Sequence, residues 1–318
     1  MAGQPAVRST AGLADERPAD GVAAAIDKVG DAWSWLLLHE SIVCGVSRFD
    51  GFQQHLGIAR STLAARLESL CENGLMVKAD RAVVPKPEYR PTPAGRAFST
   101  CLLMAMNWGD RWEPAPSGPS LVVEHVECGS RAGVEMRCAS CHRPTVAREV
   151  TFDEIPPAPV PAAHGRIRVP GLELLERNGP NSVARTLKVT GDRWSSLVLR
   201  GAFFGLRRFD EFERALGIAP NILSQRLIRL VELDVLNKTP YAVSPRRYEY
   251  RLTERGLGLY PMYLAMLSWG VAWAGARPDA LRLHHTPCDE DLHPVVCCTA
   301  CGREAEADRL LMHRRFSH

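Results

Sequence analysis

The sequence predicts an α+β, mainly helical protein with two winged helix-turn-helix domains in tandem, each followed by a small Cys/His knuckle. Three observations lead to this fold class. The chain repeats itself at an offset of 160 or 161 residues. Each copy shows apolar residues at helical spacing followed by a hairpin pattern. Each copy also ends in one histidine and three cysteines at the same spacing. The length of 318 residues fits about two domains.

Short identical blocks reveal the internal repeat. The matching pairs are Gly30-Asp31 and Gly191-Asp192, Arg48-Phe49-Asp50 and Arg208-Phe209-Asp210, Leu56-Gly57-Ile58-Ala59 and Leu216-Gly217-Ile218-Ala219, and Glu88-Tyr89-Arg90 and Glu249-Tyr250-Arg251. An offset that differs by one residue between blocks is typical of a duplication with small insertions in loops. The predicted organisation is a flexible N-terminus at 1–19, a first winged-helix domain at 20–113, a first knuckle at 120–150, a proline-rich linker at 151–175, a second winged-helix domain at 180–275 and a second knuckle at 280–310.

The second copy shows the helix-turn-helix pattern most clearly. Apolar spacing predicts helices over 182–187 and 194–203, and a short third helix opens at Arg208 and closes at Gly217. The next helix is predicted over Pro220–Glu232, because proline suits the first helical position. The leucines that form one buried stripe are Leu223, Leu227 and Leu230 in this copy and Leu63, Leu67 and Leu70 in the first.

Two short extended segments follow these helices in each copy. They are 235–239 and 247–252 in the second copy and 77–84 and 88–90 in the first, with a basic residue in each intervening turn. A basic-tipped hairpin after a helix-turn-helix is the wing of a winged helix. Long apolar helices are predicted over 95–112 and 256–273. Their apolar surface is wider than one small domain needs, so we expect them to pack against a partner.

Four motifs of the second copy resemble those of the HxlR-type winged helix-turn-helix regulators. They are Gly191-Asp192-Arg193-Trp194, Arg208-Phe209-Asp210-Glu211-Phe212, Leu223-Ser224-Gln225-Arg226-Leu227, and Tyr248-Glu249-Tyr250 with Leu252-Thr253 and Gly256. The first copy resembles the family more loosely, and the two resemblances together cover about two-thirds of the chain. The resemblance implies a bacterial DNA-binding transcription regulator that dimerises through its terminal helices. Two copies in one chain would then form a covalent pseudo-dimer.

One position departs from the pattern of that family. Many HxlR-type regulators carry a sensing cysteine ten residues before the glycine that corresponds to Gly30 and Gly191, and this chain has Asp20 and Asn181 there. Oxidant sensing through that position is therefore not expected. The isolated thiols lie on apolar or helical segments of the first copy, where core packing is the ordinary role of a cysteine. They are Cys44, Cys71 and Cys101.

The second recognition helix carries base-reading side chains opposite its leucine stripe. In the major groove, arginine pairs with guanine, and asparagine or glutamine pairs with adenine. The predicted DNA-contacting residues on this face are Asn221, Ser224, Gln225, Arg226 and Arg229, and those on the first-copy helix are Arg60, Ser61, Thr62 and Arg66. The predicted phosphate contacts are Arg207, Arg208, Arg246 and Arg247 in the second copy, and Arg48, Arg81, Lys86 and Arg90 in the first.

Charge divides unequally between the copies. Residues 180–275 hold 14 Lys/Arg and 8 Asp/Glu, whereas residues 20–112 hold 10 of each. Because phosphate binding depends on positive charge, we expect the second copy to bind DNA more strongly. The first copy would be partly specialised for pairing or regulation.

Each copy ends in the pattern His-x2-Cys-x9-Cys-x2-Cys. Three thiolates and an imidazole make a closed tetrahedral site of the kind that structural zinc occupies, with no open position for a substrate. The sequence therefore predicts two structural zinc ions, one within each copy. The predicted ligands are His125, Cys128, Cys138 and Cys141 in the first copy and His285, Cys288, Cys298 and Cys301 in the second.

Several alternatives to this ligand set remain open. His284 also precedes Cys288, and Cys297 is an extra thiol that can replace a ligand or oxidise. A glutamate or a water can complete a three-cysteine site. A redox disulfide pair in each cluster is the alternative to a metal.

Composition and missing motifs narrow the function. At 46% apolar and 24% charged residues, with a net charge of +3, the chain resembles an ordinary globular protein. It has no run of 18 apolar residues and no secretory signal, so we expect a cytoplasmic protein that does not bind membranes. No nucleophile–base pair, phosphate-binding glycine loop or open metal site indicates an enzyme.

The sequence favours a sequence-specific DNA-binding transcription regulator with structural zinc. Two other functions remain open: a metal- or redox-responsive sensor in which the cysteine clusters gate DNA binding, and a protein-docking module with a degenerate first copy. The predicted partner is double-stranded DNA. A homodimer through the terminal helices and a small-molecule effector also remain open.

Overall fold

Each copy of the repeat folds as a winged helix. The computed structural model describes residues 20–79, 87–119, 121–152, 171–176, 179–243, 246–306 and 309–314. The first copy contains α1 (Gly21–Val29), α2 (Ala32–Ile42), α3 (Phe49–Leu56), α4 (Arg60–Glu72), β1 (Met76–Ala79), β2 (Glu88–Pro91), α5 (Pro93–Ala97) and α6 (Ser99–Trp112). The Cys/His segment after it contains β3 (Leu121–His125), β4 (Val134–Cys138), a 3-10 turn (Ala147–Glu149) and β5 (Val150–Phe152).

The second copy repeats this order of elements. It contains α8 (Ser182–Thr190), α9 (Arg193–Phe203), α10 (Phe209–Leu216), α11 (Pro220–Glu232), β6 (Leu236–Val243), β7 (Arg246–Leu252), α12 (Glu254–Leu257) and α13 (Tyr260–Trp273), preceded by a single turn, α7 (Leu172–Leu175). Its Cys/His segment contains β8 (Leu283–His285), β9 (Glu290–Asp291), β10 (Pro294–Cys298) and β11 (Leu310–Arg314). The predicted N-terminus at 1–19 and most of the predicted linker at 151–175 lie outside the described residues. Within the described part of the chain, no helix is long and apolar enough to cross a membrane.

The helix boundaries are set by the same residue types in both copies. Asp31 and Asp192 precede α2 and α9, and their carboxylates accept hydrogen bonds from the first free backbone N–H groups of those helices. Gly57 and Gly217 end α3 and α10 with φ angles of 62° and 57°. Glycine adopts this left-handed conformation without steric cost, so the chain turns directly into the next helix.

The helix-turn-helix is held by its leucine stripe, as predicted. The leucines of α4 and α11 are at most 1% exposed, and they pack on the shared core together with Phe52 and Phe212. The apolar area that these side chains remove from water is the main stabilising contribution to this unit. The opposite faces of α4 and α11 are left on the surface.

The two wings differ in their described length. Strands β6 and β7 pair antiparallel from Leu236 with Leu252 to Val243 with Arg246, which extends the first strand beyond the predicted 235–239. Strands β1 and β2 pair over only four positions, and residues 80–86 at the predicted tip lie outside the described residues. The predicted continuous helices at 95–112 and 256–273 are each divided into two, α5–α6 and α12–α13. In the second copy Pro261 lies in the first turn of α13, where it lacks the N–H that a continuing helix requires.

The long helices α6 and α13 pack on the other copy, which explains their wide apolar surface. Helix α6 lies against α8, and α13 lies against α1. Glycines allow these close approaches: a Cβ at Gly109 would overlap the Ser182 carbonyl, and one at Gly270 would overlap the Gly21 carbonyl. The two indoles of these helices make reciprocal bonds, because Trp108 Nε1 donates to the Arg255 carbonyl and Trp269 Nε1 to the Ala94 carbonyl, both at 2.9 Å.

The starts of α2 and α9 meet where the copies adjoin. Asp31 and Asp192 form an antiparallel bridge, and the Ala32 N–H donates to the Gly191 carbonyl at 2.9 Å. Nearby, Asp20 and Arg200 form an ion pair between the copies, with both side chains at most 2% exposed. Contacts between equivalent residues characterise the two-fold interface of a dimer, and here they occur within one chain.

The two Cys/His segments do not form separate knuckles. Strand β4 pairs antiparallel with β10, β3 with β11, and β5 with β8. Every one of these pairings joins one copy to the other. The predicted knuckles at 120–150 and 280–310 are therefore parts of one intertwined unit, which we call the Cys/His module.

Candidate nucleic-acid interface and metal centres

Helix α11 presents a continuous exposed face away from the core. Gly217 ends the preceding helix, and Pro220 starts α11 at a position where its missing N–H leaves no bond unmade. Asn221, Gln225 and Arg229 are exposed on this face, and Ser224 is half-buried beside them. Ile228 is 52% exposed among these polar side chains. An exposed isoleucine there can contact a thymine methyl group, but an apolar residue among polar ones gives no base-reading signal in the sequence.

Two predicted base-reading arginines are bound within the protein. Arg226 Nε donates to Asp192 at 2.7 Å, and the equivalent Arg66 lies 3.7 Å from Asp31. Both arginines are only half-exposed. Each links a recognition helix to an aspartate that lies where the two copies adjoin. Arg229 is exposed but also donates to the Lys188 carbonyl at 2.9 Å.

Helix α4 offers a poorer surface than α11. Ser61 is exposed and Thr62 half-buried, whereas Arg60 donates to Gln53 and stacks over the Phe49 ring. Glu68 is exposed at the position that corresponds to Ile228. A carboxylate on this face would repel DNA phosphates, so the structure adds to the asymmetry that the charge count indicates.

The second wing brings further basic groups beside α11. Arg207, Arg208 and Arg247 are exposed, and Arg208 stacks on the Tyr241 ring of β6. Lys238 is also exposed on β6, with its Nζ 4.1 Å from the Tyr248 ring centroid. Lys238 was missed because a single lysine in a strand has no distinctive sequence signal. Arg246 lies in β7, Arg48 is exposed near Glu88, and Arg81 and Lys86 lie outside the described residues.

The histidines and cysteines converge into two compact clusters. The first contains His125, Cys128, Cys298 and Cys301, and the second contains Cys138, Cys141, His285 and Cys288; within each cluster, one donor atom per residue lies within 4.8 Å of every other. The Sγ atoms of Cys128 and Cys298 are 3.8 Å apart, and those of Cys138 and Cys288 are 4.0 Å apart. The Nδ1 atoms of His125 and His285 lie 3.2–3.4 Å from the neighbouring thiols.

The expected grouping of the ligands is corrected by these clusters. All eight predicted ligands fall within the two clusters, but each cluster combines His-x2-Cys from one copy with Cys-x2-Cys from the other. The reason lies in the strand exchange: β4 and β10 run antiparallel, so Cys138 lies beside Pro294 and Cys298 beside Val134 at the opposite end. At each end of this two-stranded ribbon, the histidine comes from the copy that does not supply the Cys-x2-Cys pair.

The cluster dimensions fit a tetrahedral zinc ion. Bonds of about 2.3 Å to sulfur and about 2.0–2.1 Å to nitrogen give tetrahedral edges of about 3.8 Å between sulfurs and about 3.5 Å between sulfur and nitrogen. The observed separations of 3.8 and 4.0 Å between sulfurs and 3.2–3.4 Å between sulfur and nitrogen are close to these edges. His284 lies outside the cluster, and its Nε2 is within hydrogen-bond distance of Asp289, at 3.0 Å. Cys297 is buried outside both clusters.

Local structure favours the ionised thiol at one cysteine of each cluster, whereas burial raises the pKa of Cys288. Burial opposes ionisation of Cys138, but the backbone N–H groups of Cys141 and Ser140 hold its pKa below the usual range. Cys298 has a lowered pKa for the equivalent reason. Burial lowers the pKa of His285 and keeps its imidazole neutral. Metal ligands must be deprotonated, so each Cys-x2-Cys turn favours the ligand form of its first cysteine.

Among the described residues, a third group of polar side chains lies in the first copy. His39, Glu40 and Cys44 lie together, and His55 Nδ1 is 2.8 Å from the Glu40 carboxylate. Burial opposes ionisation of Glu40, but hydrogen bonds from His39 and His55 hold its pKa well below the usual range. The carboxylate is thus already satisfied by two imidazoles, as a buried charge requires. Of the other isolated thiols, Cys101 is fully buried and Cys71 half-buried, and burial raises the pKa of both.

Comparison with known proteins identifies both winged-helix copies. The sequence profile described as HxlR-like helix-turn-helix matches residues 28–116 and 189–278, which together make up more than half of the chain. An uncharacterised HTH-type transcriptional regulator of Mycobacterium tuberculosis is 42% identical over 137 residues, which cover 42% of this chain and 86% of that protein.

Two shorter similarities agree with this match. An uncharacterised HTH-type transcriptional regulator of Synechocystis is 35% identical over 92 residues, covering 29% of this chain and 68% of that protein. One from Bacillus subtilis, YybR, is 36% identical over 89 residues, covering 27% of this chain and 69% of that protein. Since the profile matches twice and the matches coincide with the two structural copies, the chain belongs to the HxlR-like helix-turn-helix family and carries the family's domain in duplicate.

Proposed function

We propose that this protein is a DNA-binding transcription regulator that acts on a promoter operator as a covalent pseudo-dimer. Its two recognition helices would enter successive major grooves of a pseudo-palindromic site about one helical turn apart. Occupancy of the promoter, by blocking or recruiting other proteins, is then the regulatory event. The family membership and the names of the similar proteins support the DNA-binding role.

The exposed face of α11 is the observation that carries this proposal. Asn221 and Gln225 are exposed and suited to bidentate bonds with adenine, and Ile228 is suited to the thymine methyl group. Arg226 instead orients the helix through Asp192. Phosphate contacts from Arg207, Arg208 and the β6–β7 wing would position this face on the duplex.

The two half-sites of the operator would be read unequally. The first-copy face offers Ser61 and Thr62, carries the acidic Glu68, and uses Arg60 within the protein. We therefore propose that the second copy reads the stricter half-site. The first copy would contribute shape and phosphate contacts.

Two structural zinc ions would complete the Cys/His module. Each would be held by His-x2-Cys from one copy and Cys-x2-Cys from the other, the grouping that the donor distances favour. A closed site with four protein ligands supplies stability and not catalysis. Because the ligands come from both copies, the ions would fix the relative position of the two DNA-binding halves.

The direct test is binding of the full-length protein to the intergenic DNA upstream of its own gene. Affinity is compared with that for random DNA across a salt series, with and without a zinc chelator. We expect selective binding with a steep salt dependence, weakened by chelation. The absence of any preference at every salt concentration would contradict the proposal and favour a protein-docking role.

Regulation by the clusters is a second candidate function, favoured by the thiol pairs that join the copies. The sulfurs of Cys128 and Cys298 are 3.8 Å apart. An oxidant can therefore convert these two thiols into a disulfide that joins the copies, with release of the zinc ion. Titration with a mild oxidant, with simultaneous measurement of released zinc and DNA affinity, separates the candidates. A sensor loses DNA affinity in step with zinc release, whereas a purely structural site resists oxidant until the protein unfolds.

A further inference from the structure

A cavity open to solvent lies between the second winged helix and the Cys/His module, and the empty space of about 430 Å³ there includes open solvent at its mouth. Helices α9 and α13 form two of its walls, Val22 of α1 contributes a third, and β5 and β8 of the module cover it. The wall is thus assembled from both copies and from the module.

The cavity wall is rich in aromatic rings. Phe203 packs on Tyr260 and Tyr263, with ring centroids 5.3 and 5.0 Å apart, and Phe152 of the module meets Phe204 edge to face at 5.1 Å. In the other half of the molecule, Phe203, Phe204, Tyr260 and Tyr263 correspond to Ile42, Val43, Ser99 and Leu102 of the first copy. Phe152 corresponds to Met312 of the second copy. The general packing of the fold does not require these rings, since the equivalent positions in the other half are aliphatic or small.

One polar group in this wall has no partner among the residues that the structure describes. The Tyr260 side chain is about nine-tenths buried, yet its hydroxyl makes no hydrogen bond with any described residue, whereas the Tyr263 hydroxyl donates to the Ser196 carbonyl at 3.0 Å. Burial raises the pKa of Tyr260, so the group remains a phenol and a hydrogen-bond donor. The hydroxyl oxygen is not among the fully buried unpaired atoms of the described residues, so this donor is accessible from the cavity.

The charge in the wall is balanced. Arg200 lies in the cavity wall, but its guanidinium is paired with Asp20 and stacks over the Phe204 ring at 4.8 Å. The pair has no net charge, and an added anion would have to compete with Asp20 for the guanidinium. A neutral ligand therefore suits this site.

We propose that this cavity binds a neutral, single-ring aromatic molecule that carries a hydrogen-bond-accepting oxygen. The ring would pack among Phe203, Phe204 and Tyr263, and the oxygen would accept from the Tyr260 hydroxyl. Helix α9 also carries Asp192 at its start, the residue that holds Arg226 of the recognition helix. The site therefore adjoins the element that orients α11. The proposal does not depend on the proposed DNA-binding function, and its test uses no DNA.

The test is ¹⁹F NMR titration of the full-length protein with two matched probes, 4-fluorophenol and fluorobenzene. We expect saturable binding of 4-fluorophenol to one site per chain. Tyr260→Phe keeps the ring, so it should weaken 4-fluorophenol binding about three- to tenfold, the worth of one hydrogen bond, and leave fluorobenzene binding unchanged. Leu281→Trp places a large side chain at the half-buried edge of the cavity and should abolish binding of both probes.

The matched control is Ser99→Ala, at the first-copy position equivalent to Tyr260, which should change neither affinity. Thermal unfolding followed by circular dichroism shows which variants are folded. If neither probe binds saturably to the wild-type protein, as would happen if another segment of the chain filled the cavity, the proposal is wrong. Unchanged binding of 4-fluorophenol to Tyr260→Phe, or retained binding to a folded Leu281→Trp variant, would also overturn it.

Discussion

Asp20 and Asn181 occupy equivalent positions in the two copies but now have different roles. Both cap a helix, since Asp20 accepts from the Val22 N–H at 2.8 Å and Asn181 from the Ala184 N–H at 3.0 Å. Only Asp20 also pairs with a buried arginine, Arg200, whose first-copy equivalent is His39. The family resemblance leads one to expect a cysteine at these positions, and here both residues instead cap helices at the interface between the copies. A capping oxygen cannot be replaced by a thiol without loss of that hydrogen bond.

Glu40 provides a pH-dependent contribution to stability that the second copy lacks. Its pKa is depressed in the folded protein by His39 and His55, against the effect of burial. A depressed pKa stabilises the fold above the unfolded value of about 4.3, and the stabilisation is lost as the pH falls below that value. We therefore expect Glu40→Gln to lower the free energy of unfolding by about 1–3 kcal/mol at pH 6.

The measurement is urea unfolding of wild-type and Glu40→Gln protein at pH 6 and pH 3. The difference in unfolding free energy between wild-type and Glu40→Gln protein should be smaller at pH 3 than at pH 6. Glu72→Gln, at an exposed position on α4, serves as the control and should differ little from wild type at either pH. An equal difference at both pH values would mean that the charge of Glu40 is not what stabilises the fold.

Among the secondary-structure elements, the crossings α1–α13 and α6–α8 hold the copies together. Gly270 of α13 lies directly against the Gly21 carbonyl, and no side chain fits between them. Gly270→Ala should therefore force the helices apart and destabilise the protein by about 1–3 kcal/mol, despite the better helix propensity of alanine.

Thermal and urea unfolding measure this effect. Ser268→Ala, at an exposed position of the same helix, should change the unfolding free energy by less than about 0.5 kcal/mol. If Gly270→Ala were as stable as Ser268→Ala, the close approach of the two helices would not exist in solution.

For the molecule as a whole, two groupings of the predicted zinc ligands can be distinguished by experiment. In one, each site takes its ligands from both copies; in the other, each site lies within one copy. Paired substitutions reveal the grouping through the number of zinc ions bound per chain. The double variant Cys128→Ser/Cys298→Ser removes two ligands from the same exchanged site, so the other site should still bind one zinc ion. Cys128→Ser with Cys138→Ser disables both exchanged sites, so none should remain.

Grouping within each copy predicts the reverse result for the two double variants. Zinc per folded chain is measured by atomic emission after gel filtration, with the wild-type protein as the reference for two sites. One zinc retained by the Cys128/Cys138 pair would show that the exchanged clusters are not the metal sites.

Features that depend on residues close together in the sequence could be predicted, whereas contacts between residues far apart in the sequence could not. The leucine stripe of α11 and the turn at Gly217 depend on neighbours within a few residues, and the sequence predicted them. The grouping of His125 with Cys298 was out of reach, because both groupings use the same residue types at the same spacing. Arg226 was placed among the base-reading residues because its partner, Asp192, lies 34 positions away in the chain.

The central claim is that the second copy reads DNA bases through the exposed face of α11. It is tested most directly by the affinities of wild-type, Asn221→Ala and Ser61→Ala protein for the upstream fragment and for random DNA at one salt concentration. Ser61 is the first-copy equivalent of Asn221. We expect Asn221→Ala to cost about 1–3 kcal/mol on the upstream fragment and to leave random-DNA binding unchanged, with a smaller effect of Ser61→Ala. Equal losses on both DNAs, or a larger loss from Ser61→Ala, would contradict the account.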